Sequence, residues 1–157
     1  MSQHESDENI PLAVGYRLLA VTFQNSAETL SKTMELDGNG VPVRRTAVPF
    51  YFLISHAAEL FLKSALLKRG MQESDLKKFD YRHSLNSLLT ILQNKGILVS
   101  PETVTLIKGL HEQHRTHALR YAVFVDNGKK TYWPPVSAVL GMLDELLMLT
   151  RISTQGK

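Results

Sequence analysis

The most informative stretch of the sequence for the fold runs from Phe50 to Gly70 and reads FYFLISHAAELFLKSALLKRG. On a helical wheel of 100° per residue, its apolar side chains cover one broad face and much of the opposite face. A helix that is apolar nearly all round is expected to be buried, so this stretch predicts the central helix of an all-α domain. Gly70 is predicted to end the helix, because glycine favours the left-handed backbone of a helix C-terminus.

Apolar residues at helical spacing predict four further helices around the central one. The helices are expected at about residues 10–34, 49–69, 84–95, 100–125 and 135–153, with an exposed loop over residues 37–46. Ser84 and Ser100 are suited to cap two of them, and Gly96 to end one. We therefore predict a single antiparallel bundle of about five helices over residues 10–153, with a disordered tail at 1–9 and a frayed end at 154–157.

Composition limits the class of protein. The chain has 157 residues, of which 43% are hydrophobic and 21% charged, enough to form one folded domain. The absence of cysteine excludes disulfides and thiolate zinc sites, and fits the cytoplasmic location that we expect. The longest uninterrupted apolar run, residues 48–54, is shorter than the ~20 residues of a bilayer span, so no membrane contact is expected. The net charge of +3 permits a nucleic-acid partner without requiring one.

A narrow polar stripe interrupts the central helix. It consists of His56, Glu59 and Lys63. One interpretation is an ion pair between Glu59 and Lys63 at i,i+4 spacing that satisfies only itself. The other is that the stripe faces an interface or an internal cleft, because the rest of the helix is expected to be buried.

The fourth predicted helix carries a second polar cluster, HEQHRTHALRY at residues 111–121. His114 lies in the middle of its apolar face, and His117 and Arg120 follow at i,i+3 steps along one edge. Imidazole exchanges protons near neutral pH and guanidinium binds phosphate in a bidentate way, so this ladder fits phosphodiester binding or cleavage. The alternative is a core histidine bonded to a backbone carbonyl, with Arg120 in solvent.

Two basic residues, Arg82 and His83, precede the predicted cap Ser84. They either flank the cap without further role or join a cluster made by the second and fourth helices. A metal site would need His114 with one neighbouring histidine of its helix plus Glu59 or His56, because His111 and His117 point about 120° apart on one helix. Glycine-rich phosphate loops, a His-Glu-x-x-His motif and a nucleophile elbow are absent from the sequence. We expect no metal and no cofactor.

Three segments of the sequence, taken in order, resemble the HEPN superfamily of all-α domains. They are His56-x-x-Glu59-Leu60-x-Leu62-Lys63, then His83-Ser84-Leu85, then Leu119-Arg120-Tyr121. The resemblance covers about residues 50–124 and implies a homodimeric helical bundle. Many members are RNA-directed toxins, phage-defence factors or nucleic-acid-associated domains, some with a nucleotidyltransferase antitoxin as partner.

The resemblance also assigns candidate roles to residues. Lys63, Arg82, His83 and Arg120 would hold RNA or nucleotide phosphate, while His56, Glu59 and Tyr121 would shape the cleft. The ribonuclease members carry an arginine followed four to six residues later by histidine, and no histidine follows His117 here. A non-catalytic RNA- or nucleotide-binding protein is therefore our preferred interpretation. Arg120, His114 and His117 are the catalytic candidates if the protein is a metal-independent endoribonuclease.

Two other hypotheses belong to different classes. In one, the chain is a protein-interaction module whose polar stripe is a dimer seam, with no ligand of its own. In the other, it is a metal-dependent hydrolase that uses the histidines of the fourth helix.

Overall fold

The computed structural model describes residues 3–78, 80–115 and 133–151. Within these ranges the chain is built from helices joined by turns, which confirms the predicted all-α bundle. The helices are α1 (Gln3–Ser31), α2 (Arg44–Leu67), α3 (Glu73–Leu76), α4 (Leu85–Asn94), α5 (Pro101–Arg115) and α6 (Val136–Leu149).

Helix α2 is the centre of the bundle and contacts α1, α4, α5 and α6. Its residues 57–67 are all buried, as expected for a helix that is apolar nearly all round. Ties at both ends show that α6 runs parallel to α2: the Tyr51 hydroxyl donates to the Pro134 carbonyl, and the Lys68 ammonium donates to the Thr150 carbonyl. Helix α1 runs the other way along α2.

Close packing of α1 on α2 depends on small side chains. Ala13, Ala20 and Ala27 are fully buried and recur every seventh residue, so they form one stripe along α1. With only a methyl group at each position, the two backbones come close enough for the Ser64 hydroxyl of α2 to donate to the Ala13 carbonyl at 2.7 Å. The alanine stripe therefore determines how α1 sits against α2.

The caps read from the sequence form as predicted. Ser84 precedes α4 and accepts a hydrogen bond from the Ser87 amide at 3.2 Å. Gly70 and Gly96 follow α2 and α4 with φ of 82° and 80°, the left-handed backbone that glycine tolerates best. Ser100 caps α5 in the same way as Ser84, through the Thr103 amide at 3.2 Å.

Two helix starts differ from the prediction because prolines lie inside helices. Helix α1 begins at Gln3, not Ile10, so residues 3–9 continue the helix where a disordered tail was predicted. Helix α2 begins at Arg44, not Pro49. Pro11 and Pro49 are both exposed, and each costs its helix one backbone hydrogen bond without disturbing the core. The short helix α3 was not predicted, and α6 ends at Leu149 rather than near residue 153.

The central helix also bears on the expectation of no membrane span. By length and mean hydropathy the window Thr46–Leu67 is sufficient to cross a bilayer, which a count of uninterrupted apolar residues does not reveal. However, 83% of an 18-residue window inside this stretch is buried inside the protein. Such burial is what the core helix of a helical bundle shows.

Candidate functional site

The candidate site is built around Glu59, in the middle of α2. Its carboxylate is 1% exposed and accepts a hydrogen bond from the Lys63 ammonium one helical turn later. Lys63 is itself only 8% exposed, and it also donates to the Arg82 carbonyl at 2.9 Å. This second bond ties the segment before α4 to α2 and places His83 beside the carboxylate.

Two histidines from other parts of the chain complete the cluster. His114 of α5 is 5% exposed, and its Nε2 lies 2.6 Å from Glu59 Oε2. His83 Nδ1 lies 3.4 Å from Glu59 Oε1 and 3.5 Å from Oε2. The two imidazole rings meet edge to face, with their centroids 6.4 Å apart. We call Glu59, Lys63, His83 and His114 the Glu59 cluster.

The carboxylate of the cluster is held in its charged form. Burial alone would raise the pKa of Glu59, but the hydrogen bond with His114 and the charge of Lys63 outweigh it and lower this pKa to about 2. Glu59 is therefore ionised throughout the neutral range, and its negative charge is shared among an ammonium and two imidazoles.

The cluster opens to solvent on the side of His83, whose side chain is 31% exposed. Since Nδ1 of this ring faces Glu59, Nε2 lies on the far side of the imidazole. Arg82, the preceding residue, has an exposed side chain. The geometry therefore combines a buried, charged interior with a partly exposed imidazole and a neighbouring guanidinium at the surface.

The charge of Glu59 also acts on Tyr16, a half-buried residue of α1. Burial raises the pKa of Tyr16, and the charges of Glu73 and Glu59 raise it further, against the opposing charge of Lys77.

Several residues predicted for the site occupy other positions. His56 belongs to the same stripe as Glu59, but its ring packs edge-on against Phe23, with centroids 4.5 Å apart, and stacks on Phe52 at 5.9 Å. Arg82 contributes its backbone carbonyl to Lys63, while its side chain is exposed. The predictions for His117, Arg120 and Tyr121 lie outside the described residues.

The structure contains elements of both interpretations of the polar stripe. The ion pair between Glu59 and Lys63 forms as the simpler interpretation expects. Yet the carboxylate also contacts His83 and His114, so the stripe faces other parts of the same chain. Within one chain, Glu59 and Lys63 are buried against α5 and the segment before α4.

One carboxylate oxygen of Glu59 and one ring nitrogen each of His83 and His114 all lie within 4.8 Å of one another. The sequence predicted that a metal site would need His114 with a neighbouring histidine of its own helix plus Glu59 or His56. The group found in the structure consists of His114, Glu59 and His83 instead. Such a group is able to bind a metal ion, and it is equally able to orient imidazoles around a buried charge.

Comparison of the chain with family models, with curated proteins and with solved structures finds no match. Interpretation of the site therefore depends on its own geometry and on the sequence motifs.

Proposed function

We propose that the protein binds RNA or a nucleotide through phosphate groups at the opening beside His83. The observation that supports this proposal is the charge balance of the Glu59 cluster. A single carboxylate faces one ammonium and two imidazoles, and the adjacent Arg82 adds a guanidinium at the surface, so the permanent cations outnumber the carboxylate. A polyanion gains most where such charge is close to the surface.

The phosphate contacts would come from the partly exposed groups. His83 presents the ring nitrogen that Glu59 does not face, and Arg82 adds a guanidinium, which binds phosphate in a bidentate way. Lys63 has two of its donor positions directed to Glu59 and the Arg82 carbonyl. It would therefore act mainly by positioning the segment that carries Arg82 and His83.

In this proposal, the protein binds RNA without cleaving it. His114 is 5% exposed and directs its Nε2 to Glu59, which fits a role in holding the carboxylate better than direct proton transfer to a substrate. The sequence resembles the HEPN superfamily, but it lacks the histidine that follows the arginine in the ribonuclease members. A role in a toxin–antitoxin or phage-defence system, a nucleotidyltransferase partner and a cytoplasmic location belong to the same proposal.

The proposal includes a homodimer. Helix α1 exposes Leu18 by 60% and Leu19 by 47%, next to each other in the chain. Adjacent exposed leucines are a feature that a second copy would bury. Size-exclusion chromatography with light scattering distinguishes a mass of two chains from that of one, and a monomer at all concentrations would contradict this part.

The test of RNA binding is a fluorescence anisotropy titration of a labelled single-stranded RNA at several salt concentrations, in buffer containing a chelator. Arg82→Ala should weaken binding and lower the slope of log K against log salt by about one, as loss of one phosphate contact does. Lys108→Ala is the matched control, because Lys108 is an exposed cation on α5, and we expect its slope to stay at the wild-type value.

Mononucleotides are titrated in parallel by calorimetry with the same variants. Binding of a nucleotide but not of RNA would narrow the ligand class. Equal slopes for Arg82→Ala and the wild type, or no binding of either ligand by the wild type, would contradict the proposed function.

A further inference from the structure

We propose that Glu59, His83 and His114 form a binding site for a zinc ion. The ligand atoms come from three separate parts of the chain, namely α2, the segment before α4, and α5. They nevertheless lie within 4.8 Å of one another around a buried carboxylate. This inference goes beyond phosphate binding and departs from the expectation, drawn from the sequence, of no metal.

The donor set is one that zinc uses. Two imidazole nitrogens and one carboxylate oxygen are protein ligands of zinc sites that keep a fourth position open. Bonds of 2.0–2.2 Å in a tetrahedral site place ligand atoms roughly 3.3 Å apart. The distance from Glu59 to His83, 3.4–3.5 Å, already has this value. The distance from Glu59 Oε2 to His114 Nε2, 2.6 Å, would have to lengthen by roughly 0.7 Å.

Zinc would replace the hydrogen bond between His114 Nε2 and Glu59. Coordination needs an unprotonated Nε2, so a proton on this nitrogen would move to Nδ1 of the same ring or to the buffer. The open fourth position would face the side where His83 is 31% exposed, so water or an anion could reach the metal there.

The Lys63 ammonium would compete with a metal ion for the Glu59 carboxylate. It contacts Glu59 Oε1, and a positive charge at this distance opposes a second cation on the same carboxylate. Lys63 also positions the segment that carries His83, so the test is made at His83 itself. Removing His83 should weaken zinc binding, because one of the three ligands is lost.

The experiment is a titration of the full chain, first treated with a chelator and then dialysed, with zinc chloride in a calorimeter. Cobalt chloride in a second series gives absorption bands that report the coordination geometry. We expect one ion per chain. His83→Asn should weaken binding by more than roughly 100-fold, because loss of an outer-shell partner alone typically costs 10–100-fold. His83 is partly exposed, so this variant is expected to fold, and circular dichroism checks its helix content.

His111→Asn is the matched control: His111 is also a buried histidine of α5, 8% exposed, and it is not among the three ligands. We expect zinc affinity to be unchanged in this control.

Three results would overturn the inference: no stoichiometric binding of zinc by the wild-type chain, equal affinities of His83→Asn and the wild type, or an equal loss of affinity in His111→Asn. The RNA titration is carried out with a chelator present, so a failure of the zinc site leaves that test intact, and the reverse also holds.

Discussion

The buried carboxylate of Glu59 offers the sharpest test of the structure, through the substitution Glu59→Gln. The glutamine side chain has nearly the same shape but no charge, so the ion pair with Lys63 and the bond with His114 lose their electrostatic part. The pKa of Glu59 falls from 4.5 to about 2. One pKa unit corresponds to about 1.36 kcal/mol, so the charged form is stabilised by about 3 kcal/mol in the folded state. Losses of this size are typical when one member of a buried pair is removed.

The pH dependence gives a second readout with a definite sign. A carboxyl group whose pKa is lower in the folded chain stabilises the fold above its unfolded pKa, and this contribution is lost as the pH falls toward the folded pKa. The difference between the wild type and Glu59→Gln should therefore be complete above about pH 5.5 and roughly halved near pH 3. It should be almost absent near pH 2, where the carboxyl of Glu59 becomes protonated in the folded chain.

The assay is urea-induced unfolding followed by circular dichroism at pH 7 and pH 3, with unchanged m-values as the check that both chains unfold in the same way. Glu112→Gln is the matched control: Glu112 pairs with Arg115 at 3.4 Å, but its side chain is 68% exposed. We expect the control to change the unfolding free energy by less than about 0.5 kcal/mol. The stabilising role of the Glu59 charge would be contradicted if Glu59→Gln lowered the free energy of unfolding by less than about 1 kcal/mol at pH 7, or by the same amount at both pH values.

Three further predictions concern the frame that holds the site, and urea-induced unfolding measures each of them. Glu145→Gln should lower the free energy of unfolding by about 1–2 kcal/mol. The Glu145 carboxylate accepts hydrogen bonds from the Ser100 amide and hydroxyl at 2.7 and 2.6 Å and from the Thr103 hydroxyl at 2.5 Å. An unchanged unfolding midpoint would contradict this prediction. Ala20→Leu should destabilise the fold by about 1–3 kcal/mol, because Ala20 is fully buried in the alanine stripe between α1 and α2. An unchanged free energy of unfolding would mean that the two helices can move apart without cost. Ser84→Ala removes the cap of α4 and should cost about 1 kcal/mol, with no loss as the contrary outcome.

Helices and their ends were largely predictable from the sequence. Ser84, Gly70 and Gly96 act locally, through hydrogen bonds and backbone angles that involve only nearby residues, so their effect could be read without knowing the fold. The start of α1 was predicted wrongly. Pro11 is compatible with a first helical turn, but it lies inside α1, which begins at Gln3.

The composition of the site was predictable only in part. The burial of Glu59 and Lys63 followed from the apolar surroundings on α2, and that of His114 from its place on an apolar face. His56 shares the stripe of Glu59 on the wheel, but it lies against Phe23 and Phe52. A wheel gives the direction of a side chain around one helix and says nothing of which neighbour lies there.

The set of helices, their caps and the burial of charged groups in the central helix could be inferred from the sequence. These properties depend on interactions over three or four residues and on the balance of apolar and polar surface. In contrast, the meeting of His83 and His114 at the carboxylate of Glu59, 24 and 55 positions away in the chain, is a property of the folded chain alone. Contacts of this kind depend on the relative rotation and offset of the helices. The packing of the whole core sets both, including the alanine stripe of α1 and the bond from Lys63 to the Arg82 carbonyl.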